Sequence, residues 1–130
     1  IFKWDGTDWT VYDHEIAIPA LDKLCDIDMV SPTFGIALGM NNAGEKWNGN
    51  FWTAINPTFL ARHNAVDFLS ESDGWSVGWI YQESNILHWV DTTWERETCP
   101  VDSELMDIFM LDSSHGWIVG AEGVILRFGN

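Results

Sequence analysis

The stretch "WIYQESN" (79–85) places two aromatic side chains beside an amide and a carboxylate, namely Trp79, Tyr81, Gln82 and Glu83. Aromatic rings next to a few polar groups are typical of sites that bind a sugar ring or a peptide. The stretch therefore predicts a binding surface for a protein or a glycan. An alternative is that Trp79 and Tyr81 only cover a neighbouring structural unit or a subunit interface.

Two further segments add candidate ligand-binding residues. The segment "DHEIAIPALDK" (13–23) contains His14 and Glu15, and "PTFLARHN" (57–64) contains Arg62 and His63. The two histidines are also the chain's candidates for metal ligands, although lone histidines in loops more often meet only solvent. We therefore expect these four residues to join the binding surface, with no metal and no cofactor.

Catalytic motifs are missing from the sequence. It contains no G-x-S-x-G, P-loop, zinc or Cys/His nucleophile signature. Cys25 and Cys99 fit no metal-ligand spacing, and we expect free, largely buried thiols. A non-catalytic binding or scaffold module is the favoured interpretation. The alternative is a glycosidase-like enzyme with paired carboxylates, for which Glu15 and Glu83 are the candidates.

Charge excludes two classes of partner. Six Lys and Arg against twenty Asp and Glu give a net charge of -14, which would repel a phosphate backbone and an anionic membrane. Neither nucleic acid nor a membrane is therefore an expected partner. No apolar run approaches the ~18 residues that a membrane helix needs. We expect one soluble domain over 1–130, and we favour an extracellular or periplasmic location over a cytoplasmic one.

The chain contains internal repeats that must position these residues. Each repeat has a glycine eight residues after an aliphatic residue and a second glycine four residues later. These segments are "DIDMVSPTFGIALGM" (26–40), "AVDFLSESDGWSVGW" (65–79) and "DIFMLDSSHGWIVGA" (107–121). A second signature is a pair of tryptophans five residues apart: Trp4 and Trp9, Trp47 and Trp52, Trp89 and Trp94. The repeat period is about 41 residues.

Each repeat is predicted to form four short strands, since no window of 11 or more residues has sustained helical spacing. Strand A is predicted near 26–30, 65–69 and 107–111, and strand B near 35–40, 74–79 and 116–121. Strand C is predicted near 45–48, 86–89 and 124–128, and strand D near 51–55, 93–97 and 8–12. Asn-Gly and Asp-Gly between strands C and D predict tight hairpins. Radially repeated four-stranded sheets are β-propeller blades, so the predicted fold is all-β.

The run "GWIVGAEGVILRF", joined to "WDGTDWT", resembles bacterial propeller repeats of the type G-W-x-V-G…D-G-x-x-W. Such repeats are similar to those of photosystem II assembly factors and, more distantly, to the BNR Asp-box repeats of sialidase-like propellers. The resemblance implies a β-propeller, a fold that serves binding, scaffolding and glycosidase functions alike. A sialidase needs an arginine cluster, whereas Arg62, Arg96 and Arg127 occupy unrelated repeat positions. Sialidase activity is therefore not expected.

The three predicted blades are fewer than the usual four to eight, so one chain is not expected to close a ring by itself. The repeats span approximately 24–63, 64–104 and 105–130, and the last is predicted to be completed by 1–23 of a partner chain. Two chains would then form a six-bladed homodimer with twofold symmetry. Because 1–6 and 125–130 compete for one strand C position, one copy is expected to be displaced. The alternative is that the chain is a piece of a longer propeller.

Repeat position separates core residues from site residues. Trp79 is the exception among nine tryptophans, and the other eight are predicted to pack between blades. Trp79 also begins the B-to-C connection that is three residues longer than its counterparts, and we expect a long loop on the binding face. The basic residue before each strand C aromatic is predicted to point outward and pair with surface acids. These residues are Lys3, Lys46, His88 and Arg127.

Overall fold

The computed structural model describes residues 2–11, 23–57 and 61–129. Those residues form thirteen strands and two short 3₁₀ turns, Met40–Asn42 and Ala121–Gly123, and they include no α-helix. Each predicted strand overlaps an observed one. The strands are β1 (Phe2–Trp4), β2 (Trp9–Val11), β3 (Leu24–Ser31), β4 (Phe34–Gly39), β5 (Gly44–Trp47), β6 (Trp52–Ala54), β7 (Arg62–Ser70), β8 (Asp73–Ile80), β9 (Glu83–Val90), β10 (Thr93–Glu97), β11 (Leu105–Asp112), β12 (His115–Gly120) and β13 (Ile125–Phe128).

The strands form four antiparallel sheets in sequential order. Blade 1 is β3-β4-β5-β6, blade 2 is β7-β8-β9-β10, and blade 3 is β11-β12-β13. The fourth sheet is the hairpin β1-β2. The predicted all-β fold is confirmed, with four strands in blades 1 and 2 and three in blade 3.

The hairpin β1-β2 repeats the C-to-D hairpin of blade 1. Trp4 pairs with Trp9 as Trp47 pairs with Trp52, and the turn glycines have φ values of 104° at Gly6 and 94° at Gly49. Contrary to the expectation that one copy of the duplicated strand C is displaced, both copies are paired. β1 pairs with β2 and β13 pairs with β12. The N-terminal segment therefore contributes a complete two-stranded unit rather than a lone strand D.

Two hydrophobic clusters hold the blades together. The first joins blade 1 to blade 2 through Phe34, Ile36, Leu38, Val66, Phe68, Leu87, Trp89 and Trp94. The second joins blade 2 to blade 3 through Ala65, Trp75, Val77, Ile86, Leu105, Ile108, Met110 and Ile118. Side chains alternate along each strand, so β8 contributes Trp75 and Val77 toward blade 3 while β7 contributes Val66 and Phe68 toward blade 1.

The predicted burial of the repeat tryptophans holds only where another blade covers them. Trp75, Trp89 and Trp94 are buried, and the rings of Trp89 and Trp94 lie 5.2 Å apart. Trp47 and Trp52 are only half-buried. The remaining three are exposed, which corrects the prediction for them, because no described blade covers their faces. These are Trp4, Trp9 and Trp117.

Carboxylates bond the blades together along their edge strands. Asp26 accepts a hydrogen bond from the backbone N–H of Val66 at 2.9 Å, and Asp28 accepts one from Phe68 at 2.7 Å. Asp67 repeats the arrangement one blade later by accepting from Met110 at 2.5 Å. These interblade carboxylate bonds satisfy N–H groups on strands β7 and β11, each at the edge of its sheet.

Two basic residues of strand C differ from the outward placement predicted for them. The ammonium of Lys46 lies 5.0 Å from the ring centroid of Phe34. The imidazole of His88 stacks on Trp75 at 3.8 Å and is 2.7 Å from Asp73. The register causes this placement, since it pairs Lys46 with Ile36 and His88 with Trp75 on the face toward the next blade.

Both cysteines are free, as expected, but Cys25 is exposed and Cys99 only half-buried, which corrects the prediction of buried thiols. Within the described ranges, no helix has the length and apolar character required to cross a bilayer.

Candidate functional site

The predicted long loop of blade 2 is instead a longer hairpin. β8 continues to Ile80 and β9 begins at Glu83, so only Tyr81 and Gln82 form the turn. Their φ values of 46° and 70° are those of a tight two-residue hairpin turn. Blades 1 and 3 have the 3₁₀ turns at this position. The additional residues therefore extend the sheet by the pairs Trp79–Ser84 and Ile80–Glu83.

This hairpin forms one wall of a groove between blades 1 and 2. Trp79, Ile80 and Tyr81 line a cavity of about 280 Å³ together with Met40 and Asn41 of the blade 1 turn. Ala61 and Arg62 at the start of β7 complete the lining. We call this cavity the blade 1–2 groove. It brings together three of the predicted site residues, Arg62, Trp79 and Tyr81.

The groove contains residues that sequence reasoning missed. Met40 and Asn41 come from a different repeat, and Asn41 has a φ of 54°, which turns the chain there. The backbone N–H of Asn42 donates to the carbonyl of Ala61 at 3.3 Å and ties the two walls together. The Asn41-Asn42 pair after the strand B glycine signals a turn, but only the packing of the blades brings it to the same groove as Trp79.

Of the polar side chains near the groove, Arg62 is held in an ion pair, whereas Tyr81 and Gln82 are exposed. Arg62 forms an ion pair with Glu104 at 3.0 Å, and Glu104 also accepts from Asn64 at 3.1 Å. Tyr81 is 78% exposed, and Gln82 lies exposed beside it at the turn. The groove thus presents aromatic and apolar walls, while its one arginine is already paired.

Glu83 was predicted to lie with Trp79 and Tyr81, and the structure corrects this. Its carboxylate pairs with Arg96 of β10 at 3.1 Å. It lines a separate cavity of about 380 Å³ with Ser84, Arg96 and residues of the following connection. The attraction to Arg96 therefore directs Glu83 toward the outer strand of blade 2 and away from the groove.

His63 was predicted to lie on the loop face, but it is completely buried. Its Nδ1 lies 2.9 Å from the hydroxyl of Ser76, and burial lowers the pKa of His63 from 6.5 to about 4. The imidazole is therefore neutral near pH 7.

His14 and Glu15 lie outside the described residues, as does any pairing of Glu15 with Glu83. Among the described residues, no three His, Cys, Asp or Glu side chains are arranged to hold a metal ion.

Comparison with known proteins gives matches only among solved structures. No family model and no curated protein matches the chain. One solved structure, described as YCF48 bound to D1 peptide, has a TM-score of 0.73 at 21% identity. The match covers 88% of this chain and 40% of that chain, so the present chain spans less than half of its length.

A second solved structure, YCF48 from Cyanidioschyzon merolae, has a TM-score of 0.43 at 17% identity, and the match covers 82% of this chain and 50% of that one. The first likeness confirms the expected propeller-type β-repeat fold. The sheets of this chain are therefore identified as consecutive blades of a β-propeller, incomplete as a ring.

Proposed function

We propose that this chain is a non-catalytic binding module that holds an extended, basic protein segment in the blade 1–2 groove. The observation that carries the proposal is the groove itself, with Trp79, Tyr81 and Met40 on its walls at a junction between two blades. Concave sites with aromatic walls and few polar groups are the usual form of ligand sites. The structurally similar YCF48 was solved with a peptide bound, which supports a peptide as the ligand.

Charge determines the kind of peptide. A net charge of -14 attracts cationic segments over distances of about a Debye length and speeds their encounter. Lysine and arginine side chains also bind favourably over tryptophan and tyrosine rings. Because Arg62 is paired with Glu104, it adds little repulsion. A basic segment therefore fits the groove better than an acidic one.

Nothing in the described site favours catalysis. Glu83, one of the two carboxylates suggested for glycoside hydrolysis, is paired with Arg96 rather than open toward the groove. We therefore assign binding rather than turnover to this surface, and we favour a protein ligand over a glycan because Met40 and Ile80 add apolar contacts suited to side chains.

Trp79→Ala should weaken binding of a basic peptide about thirtyfold, or about 2 kcal/mol, because large aromatic residues that line a binding groove carry a large share of the binding energy. Fluorescence anisotropy with peptides selected from an array that varies net charge would measure the loss. Trp9→Ala is the matched control, since Trp9 lies in β2 and is 66% exposed. Equal losses in both variants would contradict the assignment, as would binding restricted to acidic peptides or to a glycan array.

We further propose that two copies of the chain form a six-bladed homodimer. The face of blade 3 that points away from blade 2 exposes Phe109, Trp117, Val119 and Ile125. Asp107 lies on this face, at the repeat position that Asp26 has in blade 1. In both residues Oδ1 accepts a hydrogen bond at 2.9 Å from the backbone N–H of the following residue. Asp26 uses its second oxygen for the following blade. This face of blade 3 therefore has the apolar side chains and the carboxylate needed to pack against a further blade.

The chain carries a complementary face on blade 1. There, the side chains of Ile27 and Met29 are exposed. The residues at the same repeat positions of blade 2, Val66 and Phe68, are buried against blade 1. If blade 3 of each copy packs on blade 1 of the other, the two contacts close a ring with twofold symmetry.

Light scattering should report a mass about twice 14.8 kDa for the native chain. Phe109→Lys should reduce the mass to that of a monomer, because it buries a charge against an apolar face. Trp79→Ala, on the loop face, should leave the dimer intact. A folded native species of 14.8 kDa at all concentrations would overturn the homodimer.

A further inference from the structure

Blade 2 contains three polar side chains at positions that are apolar in the other two blades. His63 pairs with Gly78, whereas the equivalent glycines of blades 1 and 3 pair with Leu24 and Leu105. Ser76 corresponds to Ala37 and Ile118. Asn85 corresponds to Ala43 and Val124. Blade 2 thus carries polar side chains at three positions where both other blades are apolar.

The three polar side chains lie together on one face of blade 2. His63 and Asn85 are both in register with Gly78 on β8, where the backbone carbonyl of Arg62 comes close to the glycine. Ser76 follows two residues earlier on the same face. All three residues have no exposed surface.

Several atoms of this polar cluster have hydrogen-bonding capacity to spare. Ser76 engages Nδ1 of His63 at 2.9 Å. Nε2 of His63 and both amide atoms of Asn85 are buried and have no partner among the described residues. An unpaired buried polar group costs about 1–3 kcal/mol, so such a cluster opposes folding unless something binds to it.

The cluster adjoins the blade 1–2 groove along strands β7 and β8. Ala61, Arg62, Trp79 and Ile80 line the groove, and His63 and Gly78 are the next residues of β7 and β8. Ile80 lines the groove and is on the same face of β8 as Gly78 and Ser76, so the groove and the cluster lie on one face of blade 2.

We propose that His63, Ser76 and Asn85 form a pocket that binds a side-chain carboxamide, as in glutamine or asparagine, of the peptide lying in the blade 1–2 groove. This inference rests on the proposed function. A primary amide has one acceptor oxygen and two donor hydrogens, so it pairs reciprocally with the Asn85 amide and leaves one group for Nε2 of His63. A charged group fits poorly, because burial that lowers the pKa of His63 to about 4 penalises charge at this position.

The test uses acetamide as the probe and acetate as its charged isostere, with the His63 imidazole resonances as the readout. His63→Leu assigns those resonances. Acetamide should shift them saturably in the native protein, and acetate should not. Asn85→Val, which carries the residue of blade 3, should weaken the acetamide response at least about tenfold.

A triple variant combines His63→Leu, Ser76→Ala and Asn85→Val, which introduce residues that blade 1 or blade 3 carries at these positions. It should unfold at a higher temperature than the native protein because it removes the unpaired polar atoms. Thermal shift with and without acetamide reads this out: acetamide should raise the native midpoint and leave that of the triple variant unchanged.

Three outcomes would overturn the pocket: no response to acetamide, an equal response to acetate, or a response that survives Asn85→Val. A native protein that responds to acetamide but binds no peptide would support the pocket while contradicting the proposed function. Peptide binding that is indifferent to glutamine at every position, together with no acetamide response, would contradict only the pocket.

Discussion

Gly78→Ala should destabilise the protein by about 3 kcal/mol, at the upper end of the range for overpacked positions. A Cβ at Gly78 would lie 1.9 Å from the carbonyl oxygen of Arg62 and 3.1 Å from the backbone N of Asn64. These are backbone atoms of β7, next to the bulge between His63 and Ala65, so they cannot rotate away as a side chain would. Urea denaturation of the two proteins measures the loss.

Gly120→Ala is the matched control because Gly120 has the same repeat position in blade 3. A Cβ at Gly120 would lie 2.8 Å from its nearest backbone atom, the carbonyl oxygen of Glu104, so a smaller shift of the chain accommodates the methyl group. We expect Gly120→Ala to cost clearly less. Equal losses, or no loss at Gly78, would contradict the close approach of β7 to β8.

Stability should fall as the pH is lowered from about 6.5 to about 4, because His63 stays neutral in the folded protein and becomes protonated when unfolded. Above 6.5 both states are neutral and the group has no effect. Below pH 6.5 the histidine takes up a proton in the unfolded state, whereas in the folded state it takes up that proton only near pH 4. At about 1.4 kcal/mol per pH unit, the loss approaches about 3 kcal/mol. Chemical denaturation across this pH range provides the measurement.

His63→Leu is the control for this pH dependence, since blades 1 and 3 carry leucine at the equivalent position. The variant should lose most of the slope between pH 6.5 and 4. Burial raises the pKa values of Asp67 and Glu45. The stability that these two groups contribute is therefore present at low pH and lost as the pH rises, which opposes the effect of His63. A slope unchanged in His63→Leu would refute the role of His63.

Much of the fold follows from local patterns in the chain. The spacing of the glycines and of pairs such as Trp89 and Trp94 predicts strands and hairpins, because strand faces alternate every two residues and Asn-Gly or Asp-Gly permits a tight turn. The second glycine of each repeat is visible in the sequence, yet its cause is the close passage of the preceding strand, which requires the three-dimensional arrangement.

The candidate site depended more on tertiary structure. Trp79 stands out in the sequence because it breaks the repeat, and Tyr81 follows it on the same hairpin. His63 looks like a loop histidine, although the strand begins one residue earlier and carries it into the interior. Glu83 looks like a partner of the aromatic residues, although Arg96 on the next strand attracts it away.

The sequence alone determined the all-β repeat, the strand positions and the anomalous character of Trp79, since these depend on residue types and spacings along one segment. The tertiary structure decided which faces are covered, which tryptophans are buried, and that Met40 of one blade and Trp79 of another line one groove. Those outcomes depend on contacts between residues about 40 positions apart in repeated units, and no local pattern encodes how two such units pack.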